Sequence, residues 1–115
     1  MSEPKEASIS LRREHRGQGS IVYLTIDNAR KLNTLGRVLM QDLIAALESI
    51  AADELVRAVV LTGGGERAFI GGADVDEMSR LDPISAREFI LRVHRCCKAL
   101  RRSSGARPTQ SVSFR

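Results

Sequence analysis

Aromatic residues are scarce: Tyr23, Phe69, Phe89 and Phe114 are the whole set, and tryptophan is absent. So few flat rings make a poor platform for stacking bases, and no nucleic-acid module is expected on that ground. Long apolar runs are missing too. The stretch Ser20–Ile26 falls far short of the roughly 20 residues a membrane helix needs, so no membrane-spanning protein is expected. Cysteine is confined to the neighbours Cys96 and Cys97, a pair that closes only a strained ring, which argues against a disulfide scaffold. The opening Met1-Ser-Glu-Pro-Lys-Glu6 mixes charges and carries no apolar stretch of the kind a secretory signal needs. A reducing, cytoplasmic setting follows. Acid is absent from the end of the chain: all 14 Asp and Glu precede residue 92, whereas 7 of the 18 Lys and Arg lie in residues 92–115. The net charge of +4 therefore belongs to a basic end and not to the body.

What remains is an ordinary globular balance, 43% hydrophobic and 28% charged over 115 residues, enough for one domain. Ile9 to Arg16 alternates, Gly17-Gln-Gly19 supplies a turn, and Ser20 to Asp27 is β-rich, which predicts a hairpin. On its second strand Val22, Leu24 and Ile26 face one way and Ile21, Tyr23 and Thr25 the other, so cover on both faces is expected. Asn28 to Gly36 reads as loop. Met40, Leu43, Ile44, Leu47, Ile50 and Ala51 recur at helical spacing and predict a helix over 37–52. Val56 to Thr62 reads as a buried strand, and strand, helix, strand suits a crossover onto a parallel sheet. Gly63-Gly-Gly65 lacks the lysine of a phosphate loop and the spacing of a dinucleotide fingerprint, which leaves a flexible turn. A short helix is expected from near Ala73 to Arg80. Asp82-Pro83 then opens another, with Phe89, Ile90, Val93, Cys97 and Leu100 as its apolar face.

Beyond Arg101 only Val112 and Phe114 are sizeable apolar residues, so the basic tail 102–115 is expected to be disordered, as are residues 1–7. The change of composition there is also what a shifted reading frame would produce. His94, Cys96 and Cys97 point in different helical directions and offer no metal site. His15 has no visible acid or nucleophile partner.

The chemistry concentrates in Ala68–Met78. Gly71-Gly72 lets backbone approach a bound group, and free N–H groups at the start of the following helix suit an anion or an oxyanion. The alternative is a tight loop entering a surface helix, with Asp74, Asp76 and Glu77 merely favourable at its N-terminus.

Arg67-Ala-Phe-Ile-Gly-Gly-Ala-Asp-Val-Asp-Glu-Met78 resembles the signature Ala-Phe-x-x-Gly-Ala-Asp-[hydrophobic]-x-Glu-Met of the enoyl-CoA hydratase/isomerase (crotonase) superfamily. The opening hairpin, Asn28-Ala-Arg-Lys-Leu-Asn-Thr-Leu35 and Arg57-Ala-Val-Val-Leu-Thr-Gly63 agree with it in order and spacing, so the resemblance spans about residues 8–101. It implies an α/β, partial crotonase-like fold: the N-terminal hairpin and β-α-β units of that domain. It further implies an acyl-CoA thioester as substrate, with coenzyme A entering as part of it and no tightly bound cofactor. The backbone N–H of Ala73 would be the first oxyanion donor, and Gly71, Gly72, Asp74, Val75 and Asp76 would line the substrate pocket. Arg30 or Lys31 would reach CoA phosphates. Asp76 stands where the family often carries lysine.

The second oxyanion donor and the catalytic glutamates lie downstream in the family, and the resemblance assigns neither role to Glu66 or Glu77. Members pack as trimers or hexamers and complete the sheet with later strands, so an open strand edge and self-association are expected here. Hydration of a 2-enoyl-CoA is the expected reaction of the full-length form. The alternative is a truncated or frame-shifted non-catalytic remnant, or an interaction module.

Overall fold

A computed structural model describes residues 6–105 and 111–114, with side chains for 6–102. Strands β1 (Ser8–Arg16) and β2 (Gly19–Asp27) form the expected antiparallel hairpin, with Ser8 opposite Asp27 and Arg16 opposite Gly19. Gly17 takes φ 57° at the turn, a left-handed value that glycine adopts without a Cβ penalty. Helix α1 (Arg37–Ala52) follows, then β3 (Val56–Gly63), which pairs parallel with β2. A one-turn helix α2 (Val75–Met78) and a long helix α3 (Pro83–Gly105) lead to β4 (Ser111–Phe114), parallel to β3. The sheet order is β1-β2-β3-β4, an α/β arrangement with a hairpin and two successive β-α-β units.

The core lies between one face of the sheet and the two long helices. Val22, Leu24 and Ile26 from β2, Val59 and Leu61 from β3, and Leu43 and Leu47 from α1 are fully buried, and Cys96 and Ala99 pack onto them from α3. Each large aliphatic side chain buried this way contributes about 1.5–3 kcal/mol. The other face of β2 is only half-covered: Ile21, Tyr23 and Thr25 are of intermediate exposure, not the second buried face the sequence predicts. Cross-strand groups from β1 shield it in part. The Arg12 guanidinium lies 4.1 Å from the Tyr23 ring centre, and the Tyr23 hydroxyl donates to Glu14.

One further expectation needs correction. The buried stripe of α3 runs through Phe89, Cys96 and Ala99, while Ile90 is 57% exposed and Cys97 faces solvent. Seven residues make just under two helical turns, so Phe89 aligns with Cys96 rather than Cys97. The chain beyond Arg101 carries two further elements. Helix α3 continues through residue 105, and Ser111–Phe114 forms a strand on β3; residues 106–110 and 115 lie outside the described residues. The open edge of β3 explains this. Its unpaired N–H and C=O groups are a template for any extended segment within reach, even one with little apolar area of its own.

Burial pushes the Cys96 thiol up to about 11, reinforced by the neighbouring Cys97. At pH 8 Cys96 therefore remains a protonated, inaccessible thiol. Native protein treated with iodoacetamide should carry a single label, on Cys97, and a second only after denaturation. Peptide mass mapping that finds Cys96 labelled as fast as Cys97 in the native state would contradict this packing.

Candidate functional site

Two loops meet at the carboxyl ends of β2 and β3. The first, residues 28–36, contains a 3-10 turn at Ala29–Lys31, followed by Leu32 and Asn33, both in the left-handed region (φ 55° and 56°). Asn33 is completely buried, and its side chain joins three backbone segments. Its amide nitrogen donates to the carbonyls of Gly64 and Ala68, both at 2.8 Å, and its oxygen accepts from the Asn28 N–H at 2.8 Å. Asn28 in turn donates to the Thr34 carbonyl at 3.0 Å. The triple glycine is consequently not a loose turn. A Cβ on Gly63 would run into the carbonyls of Ala68 and Phe69, so the chain passes close over that position.

The second loop carries Gly71, Gly72, Ala73 and Asp74. A Cβ on Gly71 would sit 2.6 Å from the Leu32 carbonyl oxygen, which requires glycine where the two loops cross. Gly72 has φ 109° and redirects the chain toward α1. Leu35 and Ala73 then form a short parallel bridge: the Leu35 N–H donates to Gly72 at 2.8 Å, and the Asp74 N–H donates to Leu35 at 3.0 Å. In this pattern Leu35 uses the residues on either side of Ala73, so Ala73's own N–H projects away from it. Among the described residues it has no protein acceptor. The sequence places this amide in a helical first turn; instead it lies in extended backbone, because Asp74 starts α2 one residue later. Asp74 Oδ1 accepts from the Glu77 N–H at 3.2 Å, closing the single turn Val75–Met78.

The predicted site residues gather unevenly. Arg30 and Lys31 from the first loop, and Asp74 with Glu77 from the second, line a cleft of about 410 Å³ between the 3-10 turn and the start of α1. Asp76 borders its continuation, with Arg37 and Arg80. Val75 is 73% exposed and lines neither part. Lys31 Nζ lies 3.2 Å from Asp74 Oδ2, so this cation is held at the mouth by a carboxylate. Burial alone would raise the Asp74 carboxyl, but the Glu77 N–H and the Lys31 ammonium outweigh it and hold it below the usual aspartate value. Asn33, Arg37, Glu77 and Arg80 escaped the sequence reading. Only Gly36 hinted at Glu77: a glycine at the N-cap of α1 brings no side chain to cap it, so an acceptor must come from elsewhere.

Residues 16–104 match the family model described as enoyl-CoA hydratase/isomerase. The chain belongs to this family. It is 35% identical over 72 residues to the short-chain-enoyl-CoA hydratase of Clostridium acetobutylicum, covering 63% of this chain and 28% of that protein. It is 46% identical over 65 residues to a protein of Rhizobium meliloti named "Probable enoyl-CoA hydratase", covering 56% and 25%. The crystal structure of an enoyl-CoA hydratase from Mycobacterium smegmatis superposes with a TM-score of 0.70 at 30% identity, over 80% of this chain and 35% of that one. The crotonase-type fold is thus shared across most of this hydratase/isomerase-family chain, which spans about a quarter of the length of the curated relatives it matches. Among the described residues no helix is long and apolar enough to cross a membrane, and no three His, Cys, Asp or Glu side chains cluster as metal ligands.

Proposed function

We propose that this chain supplies the thioester-binding half of an acyl-CoA site, and that hydration of a 2-enoyl-CoA is the reaction of the whole protein. The observation that carries this reading is the Ala73 N–H, fixed by the Leu35 bridge and without a protein acceptor among the described residues. A thioester carbonyl placed there accepts its hydrogen bond, and the same donor favours the enolate-like oxyanion that develops during reaction. Ala73 itself does not line the cleft, but its neighbour Asp74 does, and Arg30, Lys31, Arg37 and Arg80 give that cleft the cations that CoA phosphates require. Coenzyme A enters as part of the substrate, and no other cofactor is invoked. Trimers or hexamers in the cytoplasm are the expected form of the full-length protein.

A second reading applies to the 115 residues alone: a module that binds without turning over. What favours it is the state of the two carboxylates nearest Ala73. Asp74 is engaged by Lys31 and by the Glu77 N–H, and Glu77 by the backbone of Arg37. Both carboxylates already hold the fold together, whereas acid–base catalysis needs a group positioned on the reacting atoms.

Calorimetric titration with crotonyl-CoA and with free CoA tests both. Ala73→Pro deletes the N–H and should weaken crotonyl-CoA binding by about tenfold or more while leaving free CoA unaffected. Equal binding of crotonyl-CoA by both proteins would remove Ala73 from the site. Loss of the conjugated thioester absorbance at about 1 s⁻¹ or faster would overturn the non-catalytic reading.

A further inference from the structure

Glu77 does not face the cleft as a free carboxylate. Its Oε1 accepts a hydrogen bond from the Arg37 N–H at 2.9 Å, at the first residue of α1, forty residues away along the chain. That N–H is one of the four at a helix start that have no partner inside the helix. The N-cap residue is Gly36, which makes no side-chain cap. A Cβ at Gly36 would run into the Glu77 carboxylate and lie 3.8 Å from Asp74 Cβ. The helix therefore lacks a capping side chain of its own at the place where a side chain from the other loop supplies one.

We infer that Glu77 is a positioning residue: a clamp between α2 and the start of α1 that fixes the direction of the Ala73 N–H. Ala73 is fastened on both sides. Before it, Gly72 is tied to the Leu35 N–H; after it, the Asp74 N–H is tied to the Leu35 carbonyl and the Asp74 side chain to the Glu77 N–H. Those ties join loop to loop. The Glu77 carboxylate joins the Ala73 loop to a long, core-packed helix, since α1 buries Leu39, Met40, Leu43, Ile44, Leu47 and Ile50. A backbone donor is useful to a developing oxyanion only if its aim is set in advance; Phe69 and Ile70 anchor the loop on the core before Ala73, and the Glu77 carboxylate supplies the corresponding anchor after it. The inference rests on the reading of Ala73 as the thioester donor, and it concerns rigidity that exists before any ligand binds.

The competing role is simple helix capping, and two variants separate the two. Glu77→Ala removes cap and clamp together. Adding Gly36→Ser to Glu77→Ala restores a local cap: Gly36 is extended (φ −94°, ψ −173°), a conformation serine adopts at N-caps, and the space left by Glu77 admits its side chain. Amide hydrogen exchange on the unliganded full chain reads the clamp directly. For Glu77→Ala, protection of the Leu35 and Asp74 amides should fall about tenfold relative to the wild type. In the double variant, thermal stability should return while that protection stays low. Glu77→Gln keeps an acceptor oxygen and should retain most of it.

Crotonyl-CoA titration gives the second readout, with the double variant losing the preference for thioester over free CoA. If the double variant regains Leu35 and Asp74 protection together with its stability, Glu77 is a cap and nothing more. If exchange behaves as expected but wild-type protein does not bind crotonyl-CoA, the clamp stands and the thioester reading falls.

Discussion

Asn33→Ala should lower the stability of the fold by about 3–5 kcal/mol, a large share of the 5–15 kcal/mol typical of a domain. The variant loses two donated bonds and one accepted bond at a fully buried position, leaving the Gly64 and Ala68 carbonyls and the Asn28 N–H without their partner. A hydrogen bond contributes about 1 kcal/mol net, but a buried group stripped of its partner costs about 1–3 kcal/mol, because water does not replace what was lost. Alanine also takes up φ 56° less readily than asparagine, at a further cost of about 1 kcal/mol. Urea denaturation of both proteins measures the difference. Asn33→Gly isolates the torsional part, since glycine tolerates the backbone angle and still lacks the amide. Asn33→Asp should do no better than alanine: an ionised carboxylate has no proton for the two carbonyls and faces them with like partial charge. A loss below about 1 kcal/mol for Asn33→Ala would mean that the three segments are held apart from this side chain.

Asn33 also shows where reading the sequence stops. Helix α1 was legible to its ends, Arg37 and Ala52, because Met40, Leu43, Ile44, Leu47 and Ile50 repeat at helical spacing and Asp53 breaks the pattern. The hairpin and the Asp82-Pro83 start of α3 were legible for the same reason, each being written within a few neighbouring residues, while the parallel pairing of β2 with β3 followed from the strand, helix, strand succession. At that last site Asp82 Oδ1 accepts from the Ser85 N–H at 2.7 Å while the Asp82 N–H donates to Ser85 Oγ at 3.0 Å. The Ser85 bonds hold the Asp82 carboxyl below its usual value.

The features that build the site are non-local. Asn33 reaches carbonyls 31 and 35 residues on, Glu77 reaches back 40, and Lys31 pairs with Asp74 across 43. Nothing near Asn33 in the sequence distinguishes it from a turn asparagine. The residues themselves read as a helix start at Ala73, whereas Leu35 bonds to either side of it, since a local pattern records which residues occur and not which of them closes a β-bridge. The pairing of Ser111–Phe114 with β3 is non-local too. The apolar content of that segment is too small to order it alone, and what orders Ser111–Phe114 is the unpaired edge of β3, outside the segment itself.

The glycines allow a graded test of the same packing, and Gly63→Ala should be the most damaging of them, costing about 3 kcal/mol or more, or preventing folding. The added methyl meets the backbone carbonyls of Ala68 and Phe69, and backbone held by Asn33 on its far side does not move out of the way. Any relief would displace residues 68–69 and carry Gly71 and Ala73 with them, so thioester binding should fall together with stability. Gly72→Ala is a milder case. Its Cβ would meet nothing within 4 Å, leaving only the torsional cost of φ 109°, on the order of 1–3 kcal/mol. Gly17→Ala adds a methyl in open space at a smaller positive φ, on a surface turn remote from the site, and should cost about 1 kcal/mol with thioester affinity intact. Thermal melts of the three variants, each paired with a crotonyl-CoA titration, order these effects. If Gly63→Ala melts no lower than Gly17→Ala, the close crossing of residues 68–69 over β3 is wrong, and with it the route by which Asn33 and Gly63 together hold the Ala73 loop in place.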